Sequence, residues 1–113
     1  MENEFREYLE RLIEISTIEI DRPKGSSHPR FPDLIYPLDY GYLKDTTSID
    51  GGGLDVWLGS QSGARLEGII STIDLNKRDS EIKVIIGCSE AELKTIMDFH
   101  NSGAMRAILI RRQ

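Results

Sequence analysis

This sequence of 113 residues has a single cysteine, no long apolar run and no excess of basic residues, and each of these features argues against a class of protein. The single cysteine, Cys88, cannot form an internal disulfide, which favours a small buried side chain in a reducing compartment. The longest apolar runs extend over four or five residues, too few to span a membrane. The 19 acidic residues outnumber the 14 basic ones, whereas nucleic-acid-binding modules carry an excess of lysine and arginine. We therefore expect neither a membrane nor a nucleic acid as a partner.

Length and the composition of the N-terminus narrow the class further. A chain of 113 residues provides one domain and leaves no room for a second, so we predict a single domain over residues 1–113. The first residues are acidic and amphipathic and lack the basic start and apolar core of a signal peptide. We expect a soluble cytoplasmic protein.

Two segments have the periodicity of helices. Residues 1–15 place four apolar side chains on one helical stripe, namely Phe5, Leu9, Leu12 and Ile13. Ser89 followed by Glu92 forms a capping box that begins a second helix, and the Asn-Ser-Gly sequence at 101–103 ends it. The sequence therefore predicts one N-terminal helix and one helix near the C-terminus.

The remaining pattern is typical of short strands. Alternating or extended apolar residues predict strands over residues 17–21, 34–43, 54–58, 66–73, 81–86 and 104–110. Prolines and a glycine interrupt residues 22–33, which we predict to form a loop. Five or six strands with two helices predict an α+β fold built on a small antiparallel β-barrel, closed or partly closed.

Acidic residues gather at the predicted turns. Asp50 and Asp55 flank a run of three glycines, Asp74 ends one strand, and Asp79 and Glu81 begin its hairpin partner. Carboxylate oxygens are the ligands that Mg²⁺ prefers, and a few converging acids suffice when water and phosphate oxygens complete the coordination shell. The alternative is that these acids are ordinary, well-solvated turn formers.

A second group combines phenols with a cation. Tyr36, Tyr40 and Tyr42 lie in one predicted strand, with His28 and Arg30 in the loop before it. Phenolic hydroxyls and a guanidinium bind phosphate oxygens. The alternative is that the tyrosines belong to the core or to the barrel rim, and that His28 is incidental.

Two of these segments resemble the soluble, Mg²⁺-dependent inorganic pyrophosphatases, which have an OB-like barrel. Residues 36–42, YPLDYGY, match the family's Tyr-Pro-x-x-Tyr-Gly-Phe/Tyr strand, and residues 50–56, DGGGLDV, match its Asp-Gly-Asp-Pro-x-Asp-Val metal loop. Residues 22–29, RPKGSSHP, are similar to the short bacterial members. The resemblance covers about residues 17–86 and is thin in the last helix and strand.

The resemblance implies a role for each matching residue. The implied metal ligands are Asp50, Asp55, Asp74 and Glu81, with Asp79 as the alternative to the last of them. The implied phosphate ligands are Arg30, Tyr36 and Lys83. Tyr40 would stand beside the attacking water and would share the catalytic role with Asp55. The acid of the first strand would be Glu19 or Asp21.

The sequence departs from the family pattern at two places. The family's middle acid and the following proline are Gly52 and Gly53 here, and its Tyr-Lys pair near the end of the second helix is absent, since residues 99–103 are FHNSG. We interpret His100 as a core or surface residue.

Taken together, the resemblance implies a homo-oligomeric enzyme that uses Mg²⁺, with Mn²⁺ as a second option, and hydrolyses pyrophosphate to two phosphates by a metal-activated water. The alternative is a weak or inactive relative that serves as a metal- or phosphate-binding or protein-interaction module.

Overall fold

Two helices and six strands make up the fold in the computed structural model, which describes residues 1–49 and 51–113. In chain order the elements are α1 (Asn3–Glu14), β1 (Ile18–Arg22), β2 (Asp39–Leu43), β3 (Leu54–Leu58), β4 (Leu66–Asp74), β5 (Asp79–Ile86), α2 (Glu90–His100) and β6 (Met105–Arg111). The predicted α+β class, both helices and six strands are confirmed. Within the described ranges, neither helix is long and apolar enough to cross a membrane.

The second helix begins as its sequence predicts. The Ser89 hydroxyl accepts from the backbone N–H of Glu92 at 3.2 Å, and the Glu92 carboxylate accepts from the backbone N–H of Ser89 at 2.9 Å. These reciprocal bonds satisfy two backbone donors that the first helical turn leaves free. The capping box therefore fixes where α2 begins.

The sheet differs from the predicted antiparallel barrel in two respects. Its strand order is β1-β2-β3-β5-β4-β6, and β3 pairs with β5 in parallel, whereas the other pairs are antiparallel. In the described part of the chain β1 and β6 are the outer strands, so the sheet is mixed and not closed. The parallel pair arises because β4 crosses to the far side of β5 and leaves β5 beside β3.

The strand predicted over residues 34–43 is shorter in the structure. Only Asp39–Leu43 forms a ladder, while Ile35 makes an isolated bridge with Ser27 in the preceding loop. Pro37 has no backbone N–H to donate, so a continuous ladder through this position is disfavoured.

Successive residues of the central strands supply two separate cores. Val56 and Val84 belong to a cluster that packs against α1, and their neighbours Trp57 and Ile85 belong to a cluster that packs against α2. This follows from strand geometry, because adjacent side chains point to opposite faces of a sheet. The core cluster that packs against α2 contains the buried aromatic residues, including Tyr36 and Tyr40.

His100 lies in the core on the α2 side, at 4% exposure. The indole Nε1–H of Trp57 donates to His100 Nε2 at 3.0 Å, so this nitrogen is an acceptor and the ring proton lies on Nδ1, facing the Met105 sulfur at 3.3 Å. Burial, assisted by the positive charge of Lys83, lowers the pKa of His100 to about 3. The histidine is therefore a neutral member of the core.

Acid should destabilise the protein through His100. An unfolded histidine takes up a proton below pH 6.5, whereas the folded one stays neutral down to about pH 3, so stability falls as the pH drops through this window. At pH 5 the expected loss is about 2 kcal/mol. In urea unfolding at pH 7.5 and pH 5, His100→Gln should show a smaller pH-dependent loss than the wild type.

His28→Gln is the matched control, because it removes the other histidine of the chain. An equal change in the pH dependence of both variants would contradict the assignment to His100.

Candidate active site

A cavity of about 500 Å³ lies over the α2 side of β2, β3 and β5. Its wall is completed by the loop between β1 and β2, the turn between β4 and β5, and the connection from α2 to β6. The cavity brings together every sequence-predicted site residue in the described part of the chain: Arg30, Tyr36, Tyr40, Asp55, Asp74, Glu81 and Lys83. The remaining one, Asp50, lies outside the described residues.

The ammonium of Lys83 is the centre of this site. Its Nζ donates to the Tyr40 hydroxyl at 2.7 Å, to Asp55 Oδ2 at 3.0 Å and to Glu81 Oε2 at 2.9 Å. Lysine has three N–H donors, so these contacts account for all of them. The resemblance implies phosphate binding for Lys83, and in this structure its ammonium is the counter-ion of two carboxylates of the protein.

Burial and the neighbouring groups shift the pKa of Lys83 in opposite directions. Its side chain is 5% exposed, which disfavours the ammonium. The contacts with Tyr40, Asp55 and Glu81 outweigh burial, so the pKa of Lys83 lies above its ordinary value. Burial also raises the pKa of Tyr40, although Lys83 opposes the shift. The pair is therefore an ammonium and a neutral phenol at physiological pH.

Asp55 and Glu81 meet because β3 and β5 are parallel neighbours. Asp55 is in register with Lys83, and Glu81 precedes Lys83 by two residues, which places both on the same face of β5. The two carboxylates are 31% and 33% exposed, so each contacts both Lys83 and solvent. They present oxygens to the cavity while sharing one counter-ion.

Asp74 borders the cavity and also stabilises the turn between β4 and β5. Its Oδ1 accepts from the backbone N–H groups of Asn76 at 2.9 Å and Lys77 at 3.1 Å, which fixes the turn between β4 and β5. Asp79, the alternative to Glu81, lines a different depression on the far side of this turn, although Asp74 borders both. The geometry thus favours Glu81 over Asp79 as the cavity's acid.

The first strand contributes an acid and a cation. Of the two alternatives, Asp21 is among the described lining residues and Glu19 is not. The β1–β2 register shifts between Ile20 and Arg22, and this irregularity allows Arg22 to donate to the Tyr36 hydroxyl. The sequence interpretation missed Arg22 because it assigned this residue to the loop.

Positive charge lines the same part of the cavity. Arg22, Arg30 and Lys77 border it, and the imidazole of His28 lies among them. Partial burial, reinforced by the charges of Arg22, Lys77 and Arg30, lowers the pKa of His28. The ring of His28 is stacked on Tyr36 at 6.2 Å and accepts from the backbone N–H of Arg30 at 3.0 Å. His28, interpreted as incidental, is part of the wall.

The glycine that replaces the family's proline has a steric reason. A Cβ atom at Gly53 would lie 2.6 Å from Cδ2 of Tyr42 and 3.0 Å from the carbonyl oxygen of Leu43. A larger residue at this position would require the Tyr42 side chain or the loop to shift.

The residues present are compatible with a magnesium ion that the substrate helps to hold. In the part of the chain that the structure describes, no three His, Cys, Asp or Glu side chains form a group able to hold a metal. Protein-bound Mg²⁺ usually keeps several waters and uses one or two carboxylates together with phosphate oxygens. Asp55 and Glu81 supply such a pair at the surface of the cavity.

Solved structures of bacterial inorganic pyrophosphatases are similar to this chain. The enzyme of Helicobacter pylori has 19% sequence identity and a TM-score of 0.57, over 85% of this chain and 82% of that one. That of Neisseria gonorrhoeae has 20% identity and a TM-score of 0.57, over 80% and 77% respectively. That of Thermus thermophilus has 19% identity and a TM-score of 0.55, over 84% and 78%.

Comparisons with protein-family models and with curated proteins give no match. The structural likeness shows that this chain shares the fold of these pyrophosphatases, as its resemblance to them predicted.

Proposed function

We propose that this protein hydrolyses inorganic pyrophosphate to two phosphates and depends on Mg²⁺, or alternatively Mn²⁺, for this reaction. The observation that supports it best is the convergence of acids, cations and phenols on one cavity. Asp55, Glu81 and Asp74 lie there together with Arg22 and Arg30. The similarity in fold to three pyrophosphatases favours this activity over other reactions of phosphoanhydrides.

The acids have two tasks in the proposed reaction. Asp55 and Glu81 would hold the cation, which when bound lowers the pKa of a coordinated water and neutralises charge on the leaving phosphate, and Asp74 borders the same cavity. Lys83 orients the pair through its hydrogen bonds to both. Asp55 would also take the proton of the attacking water, because Gly52 offers no carboxylate.

The phenols and guanidinium groups would bind and orient the substrate. Tyr40 accepts from Lys83 and is also hydrogen-bonded to Asp55, so its ring is held beside the carboxylate that would take the proton of the water. Arg22 already donates to Tyr36, and its remaining N–H donors suit a phosphate in fork geometry. Arg30 adds a second cation on the same wall.

Two observations favour the second candidate, a weak or inactive relative that binds a metal, a phosphate or a protein. The three N–H donors of Lys83 are directed at protein groups, and position 52 lacks an acid. Loss of a general base typically slows a reaction by about 10²- to 10⁴-fold. We therefore expect turnover that is slow for this chemistry.

Asp55→Asn should abolish Mg²⁺-dependent phosphate release while the protein stays folded. Asparagine keeps an oxygen that accepts from Lys83, so the hydrogen bond survives, but the charge needed for a cation and for proton transfer is lost. The measurement is phosphate release from pyrophosphate with Mg²⁺, with Mn²⁺ and with a chelator, together with circular dichroism.

Asp79→Asn is the matched control, because it removes an aspartate charge on β5, the strand of Glu81 and Lys83, but outside the cavity. Unchanged turnover in Asp55→Asn would remove this residue from the reaction. No release by the folded wild type with either metal would overturn the hydrolase proposal.

Gly52→Asp should raise the rate, because it restores a carboxylate where the resemblance places the acid that activates water. A gain of up to roughly 10²- to 10⁴-fold is the range of a positioned general base. Steady-state rates are compared with those of Gly52→Asn, which has the same size without the charge. Equal rates in the two variants would show that charge at position 52 does not limit the reaction.

A further inference from the structure

Aromatic rings form a continuous wall beside the charged part of the cavity. Phe31 lies 5.1 Å from His28, which is stacked on Tyr36 at 6.2 Å, and Tyr36 lies 5.6 Å from Phe99, all measured between ring centroids. The same Tyr36 lies 5.4 Å from Tyr40, the partner of Lys83. The wall therefore begins at the polar cluster and extends away from it.

Phe31 gives this wall an accessible face. Its side chain is 58% exposed although it borders the cavity, and Leu34 and Met105 add further apolar surface to the lining. Flat aromatic surfaces next to cations are suited to stacking with planar ligand rings. Bare phosphate gains nothing from such a surface.

The end of α2 cannot serve as a second phosphate subsite. Where the resemblance predicts a tyrosine and a lysine, this chain has Phe99 and His100. A phenylalanine ring offers no hydrogen bond, and His100 is committed to Trp57 through Nε2 and faces Met105 through Nδ1. The groups that would hold the far phosphate of pyrophosphate are replaced by apolar surface.

The volume of the cavity agrees with a larger ligand. Small-molecule sites commonly enclose about 300 to 1,000 Å³ around ligands of drug size. The present cavity, at about 500 Å³, falls within that range, and two phosphoryl groups fill only part of it.

We propose that the preferred substrate is an organic diphosphate with a flat ring, a nucleoside diphosphate, whose base stacks on Phe31 and His28 while its phosphates meet the charged cluster. This inference rests on the proposed function, because it assigns the substrate class of the same site. Water forms a bond to the terminal phosphorus, and the bond from that phosphorus to the bridging oxygen breaks. The bridging oxygen leaves with its electron pair on the nucleoside monophosphate, and Asp55 takes a proton from the water.

The test compares three diphosphates with the same reacting end. ADP carries a ring, methyl diphosphate carries an organic group without a ring, and pyrophosphate carries neither. We expect kcat/KM with Mg²⁺ to be highest for ADP. In Phe31→Ala the ratio of kcat/KM for ADP to that for methyl diphosphate should fall roughly 5- to 150-fold, the range of one lost stacking contact.

Phe5→Ala is the matched control, since Phe5 is an exposed phenylalanine on α1 outside the cavity lining, and it should leave the ratio unchanged. We call the proposed stacking surface of Phe31 and His28 the ring subsite. Hydrolysis of pyrophosphate without a preference for ADP, or an unchanged ratio of kcat/KM for ADP to that for methyl diphosphate in Phe31→Ala, would overturn the ring subsite and leave the hydrolase proposal standing.

Calorimetric titration with ADP and Mg²⁺ separates the remaining outcomes. If no diphosphate is hydrolysed but ADP binds, and binds more weakly to Phe31→Ala, the ring subsite stands and the hydrolase proposal fails. Absence of ADP binding by the folded protein overturns the ring subsite, whatever the result with pyrophosphate.

Discussion

The hydrogen-bonded ammonium of Lys83 is the interaction on which the rest of the site depends. A buried charge costs several kcal/mol unless opposite charge and hydrogen bonds compensate for it. Tyr40 on β2, Asp55 on β3 and Glu81 on β5 provide that compensation, so one cation joins three strands. The same contacts hold two carboxylates side by side at the edge of the cavity, where they would otherwise repel each other. The hydrogen bonds of Lys83 thus both stabilise the buried ammonium and hold Asp55 and Glu81 at the cavity.

Much of the architecture follows from local sequence signals, and the central contact does not. Periodicity and the Ser89 capping box are local, and they located both helices and six strands. The two segments that resemble the pyrophosphatases also contain residues that line one cavity. The role of Lys83 as a counter-ion depends on β5 lying parallel to β3, which places it in register with Asp55. Strand order is a property of the whole sheet, and alternation within one strand carries no information about its neighbour.

The residues that sequence interpretation missed lie where the backbone leaves regular geometry. Arg22 ends β1 beyond a register shift, so alternation within the strand does not predict its direction. His28 lies in an irregular loop and gains its position from stacking on Tyr36. The short segment RPKGS, which belongs to the resemblance, was the available signal for Arg22, but the direction of its side chain was not encoded there.

The departures from the pyrophosphatase pattern change the two sides of the cavity in related ways. At the glycine loop, Gly53 packs closely against Tyr42, so a larger residue there would require the Tyr42 side chain or the loop to shift. At the end of α2, Phe99 and His100 pack edge-on against Trp57, with ring centroids 5.3 Å and 5.6 Å from the indole, so they join the aromatic core. Charge is thereby concentrated around Lys83 and the arginines, while the end of α2 contributes apolar rings to the aromatic wall beside them. A ligand that matches this division needs phosphate at one end and a flat, weakly hydrated group at the other, because burying a second free phosphate against apolar rings would leave its oxygens without donors.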